Sequence, residues 1–520
     1  MKKISVFDTT LRDGAQAEGI SFSVSDKLKI VDILVKLGID YIEAGNPGSN
    51  PKDLEFFNEL KSINLGRTKI VAFGSTKRKN IKVEEDDNVV ALLGANTPVI
   101  SIFGKTWDFH VDRVLHCSLE ENLNMIYDTI AFFKEKGKET IFDAEHFFDG
   151  YKENPLYAIK ALKAAVSAGA DYIVLCETNG GCLPLEVFEI TKKVKKELKN
   201  VKLGIHCHND SDTAVANSII AVQAGVNQVQ GTFLGIGERC GNASLASIIS
   251  NLQIKLGYGC VKKQELENLT TYAYALAEIS NLTVDKKTPF IGMSAFAHKG
   301  GMHIDGVSKF ASTYEHIKPK SVGNSRRFLM SEVGGRSLIL KKIQRIDPSL
   351  KKESKKTKQI IDLLKEKEHQ GYQYEGAEAS FELLILKKLG VFVPSFKLEH
   401  FKVFGGEPSK LEYNSSAIIK ITSNGQTEFA ASEGNGQVNA LNKALKKALE
   451  VFYPKLIDVH LIDYKVRVLD PESGTRAKTR VLISSTDGKK VWNTVGVSRD
   501  LIEASWIALV DSLEYKLLKR

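Results

Sequence analysis

The chain reads Gly204-Ile205-His206-Cys207-His208-Asn209-Asp210 directly after a lysine-rich run, residues 191–202, whose pattern is typical of a helix. In an extended strand, side chains two residues apart point to the same face. His206 and His208 are therefore expected to lie side by side while Cys207 points away. Two adjacent imidazoles are candidate metal ligands. Hydrogen-bonded histidines of a protein core show the same pattern, and the motif alone leaves both interpretations open.

Composition limits the classes of protein that the chain can represent. The 520 residues carry a formal net charge of +9, but acidic and basic residues are mixed and no nucleic-acid-binding motif occurs, so no nucleic-acid partner is expected. Six scattered cysteines without a C-x-x-C pair indicate reduced thiols. Because no signal-peptide pattern or membrane-spanning apolar run is present, we expect a cytoplasmic protein that does not enter a membrane.

Short apolar runs alternate with helical patterns through the first half of the chain. They predict strands at residues 4–8, 41–44, 69–73, 99–103, 140–145, 172–177, 203–208 and 228–233. Alternating strands and helices favour parallel βα units, and eight such units within about 250 residues favour a closed (β/α)8 TIM barrel. An open, doubly wound sheet is the alternative with the same pattern.

A short motif precedes every second predicted strand. It occurs as Leu37-Gly38-Ile39-Asp40, Leu93-Gly94-Ala95-Asn96, Ala168-Gly169-Ala170-Asp171 and Ala224-Gly225-Val226-Asn227. Each glycine is predicted to end a helix in the left-handed conformation. The repetition supports eight strands.

Polar side chains collect where the predicted strands end. Asp13 follows the first strand, Glu43 closes the second, Glu145 the fifth and Thr178 the sixth, and the histidine pair closes the seventh. In a (β/α)8 barrel the carboxyl ends of the strands form the face that carries the active site. Although any one of these residues could cap a loop, together they predict a site on this face.

Four motifs occur in a fixed order along the chain. They are Phe7-Asp8-Thr9-Thr10-Leu11-Arg12-Asp13-Gly14, His206-x-His208-Asn209-Asp210, Gly237-Glu238-Arg239-x-Gly241-Asn242-Ala243 and Gly301-Met302-His303-x-Asp305-Gly306. Together they resemble the defining motifs of the family of 2-isopropylmalate, homocitrate and citramalate synthases, over nearly the whole chain. Residues 16–19, 45–51 and 433–441 further resemble the citramalate-forming branch.

The resemblance implies a metal-dependent acyltransferase that condenses acetyl-CoA with a 2-oxo acid, here pyruvate, and then hydrolyses the thioester to release CoA. It also implies that Asp13, His206, His208 and Asn242 hold a divalent cation. Such a ligand set suits Mn²⁺, Mg²⁺ or Zn²⁺ and does not choose among them.

The same resemblance assigns the remaining roles in the barrel. Arg12 is expected to bind the 2-oxo acid and to stabilise the alkoxide that forms from its carbonyl. Thr178 is expected to bind the substrate carboxylate, and Glu145 matches the catalytic glutamate of the family.

The base that deprotonates the acetyl methyl group is expected beyond the barrel. The resemblance makes His303 the candidate, with Tyr314 as a second catalytic residue and Asp305 as a substrate-binding residue. In the family this element reaches the active site of the partner subunit, which implies a homodimer. Without the resemblance, His303 is better explained as a histidine near a helix start, and His298 is expected to be structural.

Three domains are predicted: the barrel at residues 1–270, a helical linker that contributes to the active site at 271–375, and a duplicated α+β regulatory domain at 376–520. In the last, strands at 381–386, 396–404, 417–423 and 427–431 precede a helix at 437–451. Strands at 459–470, 479–484 and 491–497 precede a second helix at 499–518. The resemblance implies that this domain is allosteric. It also implies that the reaction is the first step of a route from pyruvate to isoleucine. Isoleucine, as the end product of that route, is therefore the predicted effector.

Other functions share parts of the pattern. A 2-isopropylmalate or homocitrate synthase would differ in the 2-oxo acid that it accepts. A carbon-carbon lyase related to hydroxymethylglutaryl-CoA lyase would resemble only the barrel and a short lid. A metal-dependent hydrolase usually carries its H-x-H motif on the first strand, and a non-enzymatic sensor would not need Arg12, Glu145 and His303 together.

Overall fold

The structure is a computed structural model. It describes residues 2–48, 51–61, 63–329, 343–344, 348, 354–405, 415–488 and 490–518. The chain divides into two compact units, one of Met1–Phe296 with His316–Arg326 and one of Ala297–Glu315 with Arg327–Arg520. The domain boundaries predicted from the sequence stay a prediction.

Eight parallel strands form a closed barrel in chain order in the first unit. They are β1 (Ser5–Asp8), β2 (Tyr41–Gly45), β3 (Lys69–Ser75), β4 (Val99–Lys105), β5 (Glu139–Glu145), β6 (Tyr172–Glu177), β7 (Lys202–Cys207) and β8 (Gln228–Gly231). Strand β8 pairs in parallel with β1, which closes the ring. The predicted barrel is therefore confirmed, and the open sheet is wrong.

Helices cover the outside of the barrel. They are α1 (Val24–Leu37), α2 (Pro51–Leu60), α3 (Asp87–Gly94), α4 (Asp108–His110), α5 (Leu119–Glu135), α6 (Phe147–Glu153), α7 (Pro155–Ser167), α8 (Pro184–Glu197), α9 (Ala214–Ala224), α10 (Leu245–Ser250), α11 (Lys263–Leu266) and α12 (Leu269–Ile279). Helix α1 begins at a reciprocal cap between Ser23 and Asp26. It buries Ile30, Leu34 and Leu37, which lie three and four residues apart on one face.

Three of the four repeated glycines end helices as predicted. Gly38, Gly169 and Gly225 have φ angles of 87°, 94° and 114°, in the region that favours glycine. Gly94 does not, because α3 continues through it and Asn96 takes the left-handed conformation instead, with φ 53°. Asparagine tolerates this conformation better than most side chains.

The barrel interior changes from apolar to polar along its axis. A cluster of mostly aromatic and branched side chains fills one part of it: Phe7, Tyr41, Val71, Val99, Ile141, Tyr172, Val174 and Cys176. The buried polar residues Ser101, Asp143, His206 and Gln230 are joined by hydrogen bonds. Cys207 belongs to the larger apolar core. The alternation predicted for β7 is therefore present.

The second unit contains a duplicated arrangement of three antiparallel strands and a helix. The first copy comprises β11 (Lys397–Gly405), β12 (Ser415–Ser423), β13 (Gln426–Gly434) and α16 (Gln437–Glu450), and the second β14 (His460–Val468), β15 (Thr479–Thr486), β16 (Val491–Ser498) and α17 (Leu501–Leu518). Both copies share one apolar core, with Ile419 and Leu445 from the first and Ile483 and Leu509 from the second. The predicted duplication is confirmed.

The other elements of this unit are a short parallel pair and three helices. They are β9 (Ala297–His298), β10 (Arg327–Phe328), α13 (Gly301–Lys309), α14 (Lys355–His369) and α15 (Glu378–Leu389). Helices α13 and α14 lie within the helical linker predicted at residues 271–375, of which residues 330–342, 345–347 and 349–353 lie outside the described part.

The strand predicted at residues 381–386 is wrong, because this segment is the middle of α15. Alternating buried residues such as Phe381, Leu383 and Ile385 imitate the period of a strand. Two contacts show the helical geometry: Ser380 and Lys387, two helical turns apart, both donate to Asp511, at 2.8 and 2.9 Å. Along the described residues, no helix is both long and apolar enough to cross a membrane.

Candidate metal and substrate site

Three buried side chains at the carboxyl ends of the barrel strands form a candidate metal centre. Asp13, His206 and His208 each offer one ligand atom, and these atoms lie within 4.8 Å of one another. His206 Nε2 is 3.3 Å from Asp13 Oδ2, and the two imidazole centroids are 5.2 Å apart. Two imidazoles and one carboxylate suit a divalent transition metal.

The backbone around each of these residues explains its position. Asp13 lies in a tight turn after β1, where the backbone N–H groups of Asp13 and Gly14 both donate to Thr9 O. His206 lies on β7, and His208, just beyond that strand, pairs with Asn242 in an isolated antiparallel bridge. The 235–243 loop is thereby folded back against the end of β7.

Asn242 and His208 each carry a buried polar atom that has no hydrogen-bond partner in the described residues. The atoms are Oδ1 of Asn242 and Nδ1 of His208. The amide of Asn242 is oriented by its other end, because Nδ2 donates to Ile236 O at 3.3 Å. Buried polar atoms are rarely left without a partner, so these two atoms are consistent with a site that a cation completes. Three of the four predicted ligands, Asp13, His206 and His208, thus form one cluster, and the chemistry of Asn242 is compatible with a place beside it.

Arg12 is held rigidly beside the cluster. Its Nε donates to Glu43 Oε2 at 2.6 Å, and its guanidinium lies 3.1 Å from Asp13 Oδ2. The guanidinium carbon also lies 3.8 Å from the centroid of the Phe73 ring. A planar cation fixed on three sides is suited to bind an anionic oxygen in the adjoining space.

Charge and burial act in opposite directions on the carboxylates around Arg12. Burial would raise the pKa of Asp13, but the Arg12 charge and the contact with His206 hold it well below its ordinary value. Burial raises the pKa of Glu43 to about 7 although Arg12 opposes this change. Burial also raises the pKa of Asp143, which is hydrogen-bonded to Ser101 and Gln230 inside the barrel. The site thus keeps one carboxylate ionised while disfavouring the ionised form of two others.

A cavity of about 350 Å³ opens beside these residues. Its lining comprises Arg12, Asp13, Gln16, Asn46, Phe73, Phe103, Asp143, Glu145, Cys176, Thr178, His206, His208, Glu238 and Arg239. Six residues singled out from the sequence, namely Arg12, Asp13, Glu145, Thr178, His206 and His208, therefore face one space. The cavity is large enough for a small 2-oxo acid.

Glu145 and Thr178 approach the cavity from neighbouring strands. Glu145 is ion-paired with Lys105 at the end of β4. Thr178 Oγ1 accepts a hydrogen bond from the backbone N–H of His146 at 2.9 Å, which leaves the hydroxyl proton available to donate to another group. His146 takes a left-handed conformation, with φ 52°, at this point of the chain.

Sequence reasoning missed Gln230 and Ser101. Both are buried polar residues inside the barrel, and both are linked to Asp143 by hydrogen bonds. The available signal was strand parity, because Gln230 follows Gln228 by two residues on β8 and therefore shares its face.

The residues predicted to supply the base lie in the second unit. His303 is in the first turn of α13, and its ring stacks on Tyr314 with centroids 3.9 Å apart and an interplanar angle of 17°. Asp305 is ion-paired with Lys309 at 2.7 Å. His298 is buried against Glu315 at 3.3 Å, which agrees with the structural role expected for it.

Three family models match successive parts of the chain. Residues 3–276 match the HMGL-like family, residues 290–371 match the homocitrate synthase post-HMGL domain-like family, and residues 375–517 match the LeuA allosteric (dimerisation) domain. A closed parallel barrel with an Asp-His-His cluster, followed by these two further domains, defines the class of metal-dependent acyltransferases.

Known proteins resemble the chain over its whole length. An (R)-citramalate synthase of Aquifex aeolicus is 52% identical over 519 residues, which cover 100% of this chain and 98% of the relative. One of Synechocystis sp. is 50% identical, covering 99% and 97% of the two chains. A 2-isopropylmalate synthase of Clostridium kluyveri is 31% identical, covering 98% and 96%. The chain belongs to the (R)-citramalate synthase family.

Proposed function

We propose that the barrel site condenses acetyl-CoA with pyruvate and then hydrolyses the thioester, giving (R)-citramalate and free CoA. The observation that carries the proposal is the convergence of Asp13, His206 and His208 with the fixed guanidinium of Arg12 at one cavity. Full-length similarity to (R)-citramalate synthases selects pyruvate among the 2-oxo acids of the wider family.

Asp13, His206, His208 and Asn242 would hold a divalent cation, and the donor set leaves Mn²⁺, Mg²⁺ and Zn²⁺ as candidates. When bound there, a cation would supply Lewis-acid polarisation of the keto carbonyl of the 2-oxo acid. The low pKa of Asp13 keeps its carboxylate ionised for this role.

The remaining residues bind pyruvate and stabilise charge. Thr178 donates its hydroxyl proton to the pyruvate carboxylate. Arg12 stabilises the alkoxide that develops on the former keto oxygen, where a preoriented cation acts most strongly. Glu145 is the catalytic carboxylate, and its ion pair with Lys105 fixes its direction.

His303, assisted by Tyr314, removes a proton from the acetyl methyl group. The resulting carbanion forms the new carbon-carbon bond to the keto carbon, the electron pair of the C=O bond moves to the oxygen, and the alkoxide then takes a proton from water to give the hydroxyl group. Asp305 contributes to substrate binding. Water then cleaves the thioester, so that the CoA thiol leaves. The resemblance implies that this element reaches the active site of a partner subunit, and the match of residues 375–517 to the LeuA allosteric (dimerisation) domain supports a homodimer. We propose isoleucine as the effector of that domain.

The deciding experiment measures thiol release from acetyl-CoA with pyruvate, 2-oxoisovalerate and 2-oxoglutarate. A pocket discriminates by about 1 to 3 kcal/mol per methylene, so we expect pyruvate to lead in kcat/KM by tens to hundreds of fold. A higher kcat/KM with 2-oxoisovalerate would instead assign a 2-isopropylmalate synthase, and one with 2-oxoglutarate a homocitrate synthase.

A further inference from the structure

We infer that Gln230 is a positioning residue that holds the imidazole of His206 in the tautomer able to bind a cation through Nε2. The inference rests on the proposed metal site. Gln230 on β8 and His206 on β7 are register partners in adjacent parallel strands. Gln230 Oε1 lies 3.1 Å from His206 Nδ1, and the two side chains are 0% and 5% exposed.

The orientation of the Gln230 amide is fixed at its other end. Its Nε2 donates to Asp143 Oδ1 at 3.2 Å, and Ser101 donates to Asp143 Oδ2 at 2.8 Å. Gln228 Oε1 also lies 3.4 Å from Gln230 Nε2, so this end of the amide meets two oxygen atoms. The NH₂ group therefore faces Asp143 and Gln228, and the carbonyl oxygen faces His206. Gln230 Oε1 is therefore the acceptor of the hydrogen bond to His206, and Nδ1 of His206 is its donor.

A donor at Nδ1 defines the tautomer of a neutral His206. The proton lies on Nδ1, and the lone pair lies on Nε2, which is 3.3 Å from Asp13 Oδ2 and faces the cluster. In the other tautomer Nε2–H would donate to Asp13, and one nitrogen ligand would be lost. Removing a hydrogen-bond partner of the other ring nitrogen of a metal-binding histidine commonly weakens metal affinity by about 10 to 100 fold.

Gln228 provides a matched control on the same strand. It is 0% exposed, and its side chain lies on the same face two residues earlier. Its Oε1 approaches Gln230 Nε2 only at 3.4 Å, and the structure records no hydrogen bond from it to His206. Replacing either glutamine by leucine removes one buried amide, but only Gln230 is hydrogen-bonded to His206.

The test compares Mn²⁺ binding by full-length wild type and by Gln230→Leu, Gln228→Leu and Gln230→Glu. Free Mn²⁺ is measured by electron paramagnetic resonance after chelator treatment, and the melting temperature of each metal-free protein is recorded beside it. We expect Gln230→Leu to weaken Mn²⁺ binding by 10 to 100 fold. We expect Gln228→Leu to stay within about threefold of wild type although both leucine variants lower the melting temperature similarly. Gln230→Glu keeps an acceptor oxygen toward Nδ1 and is expected to bind Mn²⁺ at least tenfold more tightly than Gln230→Leu.

Equal Mn²⁺ affinity in the two leucine variants, or equal weakening in Gln230→Glu and Gln230→Leu, would overturn the inference. If Gln230→Leu does not fold, Gln230→Met, which keeps the unbranched shape, replaces it under the same criteria. Failure of wild type to bind any of Mn²⁺, Mg²⁺ and Zn²⁺ would also overturn it. Wild type that binds Mn²⁺ but releases no thiol with pyruvate would overturn the proposed substrate alone and leave the role of Gln230 supported by the binding data.

Discussion

Arg12 donates from Nε to Oε2 of Glu43 over 2.6 Å, and Glu43 is completely buried. The pair is unequal, because burial raises the pKa of Glu43 to about 7 while the guanidinium stays charged under all ordinary conditions. Oε1 of Glu43 has no hydrogen-bond partner among the described residues. Glu43 therefore contributes mainly by orienting Arg12 toward the cavity, and the function of the pair depends on the planar shape of the guanidinium.

Replacing Arg12 by lysine tests this dependence on shape. The ammonium of Arg12→Lys keeps the charge but cannot bond Glu43 and lie over Phe73 at the same time. We expect kcat for thiol release to fall by about 10² to 10³, the usual effect of losing one preoriented group at a developing oxyanion. Arg113→Lys, at an exposed position, is the control and should retain wild-type kcat. Retention of more than a tenth of wild-type kcat in Arg12→Lys would show that charge alone suffices.

Asp8 gives the barrel a pH-dependent stability. Burial raises its pKa from an ordinary 3.8 to about 7, against hydrogen bonds from the backbone and hydroxyl of Thr10 at 2.9 and 3.0 Å. Because the folded state holds the proton more tightly than the unfolded state, the contribution of Asp8 is complete below about pH 4 and is lost as pH rises through 7. Asp8→Asn mimics the protonated acid and should remove this slope, which can reach about 1.4 kcal/mol per pH unit.

The measurement is the free energy of unfolding of wild type and Asp8→Asn by chemical denaturation between pH 5 and 8, in chelator. Wild type should lose stability relative to the variant as pH rises to 7, and the difference should level off above it. Asp32→Asn, at an exposed carboxylate, should follow wild type. Parallel profiles for wild type and Asp8→Asn would contradict the raised pKa.

His208→Ala tests the metal centre. The variant removes one of the three clustered ligands and should lose both Mn²⁺ binding and thiol release. His400→Ala, on the exposed strand β11, should change neither. Full activity of His208→Ala after chelator treatment would exclude His208 as a required ligand.

The barrel could be predicted from sequence because its signals are local. Apolar runs, helix-ending glycines such as Gly38 and polar strand ends all lie within a few residues of what they specify. The network around Gln230 could not be predicted, because Ser101, Asp143, His206 and Gln230 lie on four different strands and meet only when the eight-stranded barrel closes. Residues 381–386 were misassigned because α15 is buried on more than one side, so that Phe381, Leu383 and Ile385 alternate with less buried residues as in a strand. Helix α15 is held by hydrogen bonds from Ser380 and Lys387 to Asp511, which lies more than 120 positions later in the chain. A signal at that distance is not visible in the local pattern.

His303→Ala separates proton removal from substrate binding. If His303 is the base, kcat should fall by roughly 10² or more while pyruvate affinity, measured by calorimetry, stays near that of wild type. The stacking of Tyr314 on the imidazole makes Tyr314→Phe a useful companion, because it keeps the stacked ring and removes only the hydroxyl group. His369→Ala, at an exposed position at the end of α14, is the control. Loss of pyruvate binding in His303→Ala would assign this histidine to substrate binding instead.

The glycines near the start of the C-terminal helices differ in what they do. An added Cβ at Gly496 would lie 2.0 Å from Ala504 O, so this glycine is explained by the close packing of β16 against α17. Gly436 precedes α16 with extended backbone, and nothing lies within 4 Å of an added Cβ. A side chain can therefore be introduced at Gly436 without a clash.

Isoleucine is expected to inhibit the full chain, and a carboxylate introduced at Gly436 should weaken that inhibition. The amino-terminal end of α16 favours negative charge, so Gly436→Asp would compete with the carboxylate of the effector. Typical allosteric coupling free energies of about 1 to 3 kcal/mol correspond to roughly five- to 150-fold changes in affinity. We therefore expect Gly436→Asp to need at least about fivefold more isoleucine for the same inhibition. The kcat measured without isoleucine should not change. Gln426→Glu adds one negative charge at the opposite end of β13 and should leave the curve in place. The measurement is thiol release by wild type, Gly436→Asp and Gln426→Glu at increasing concentrations of isoleucine and, separately, of leucine. Stronger inhibition by leucine would indicate a 2-isopropylmalate type of regulation, and an unchanged isoleucine curve in Gly436→Asp would place the effector away from the start of α16.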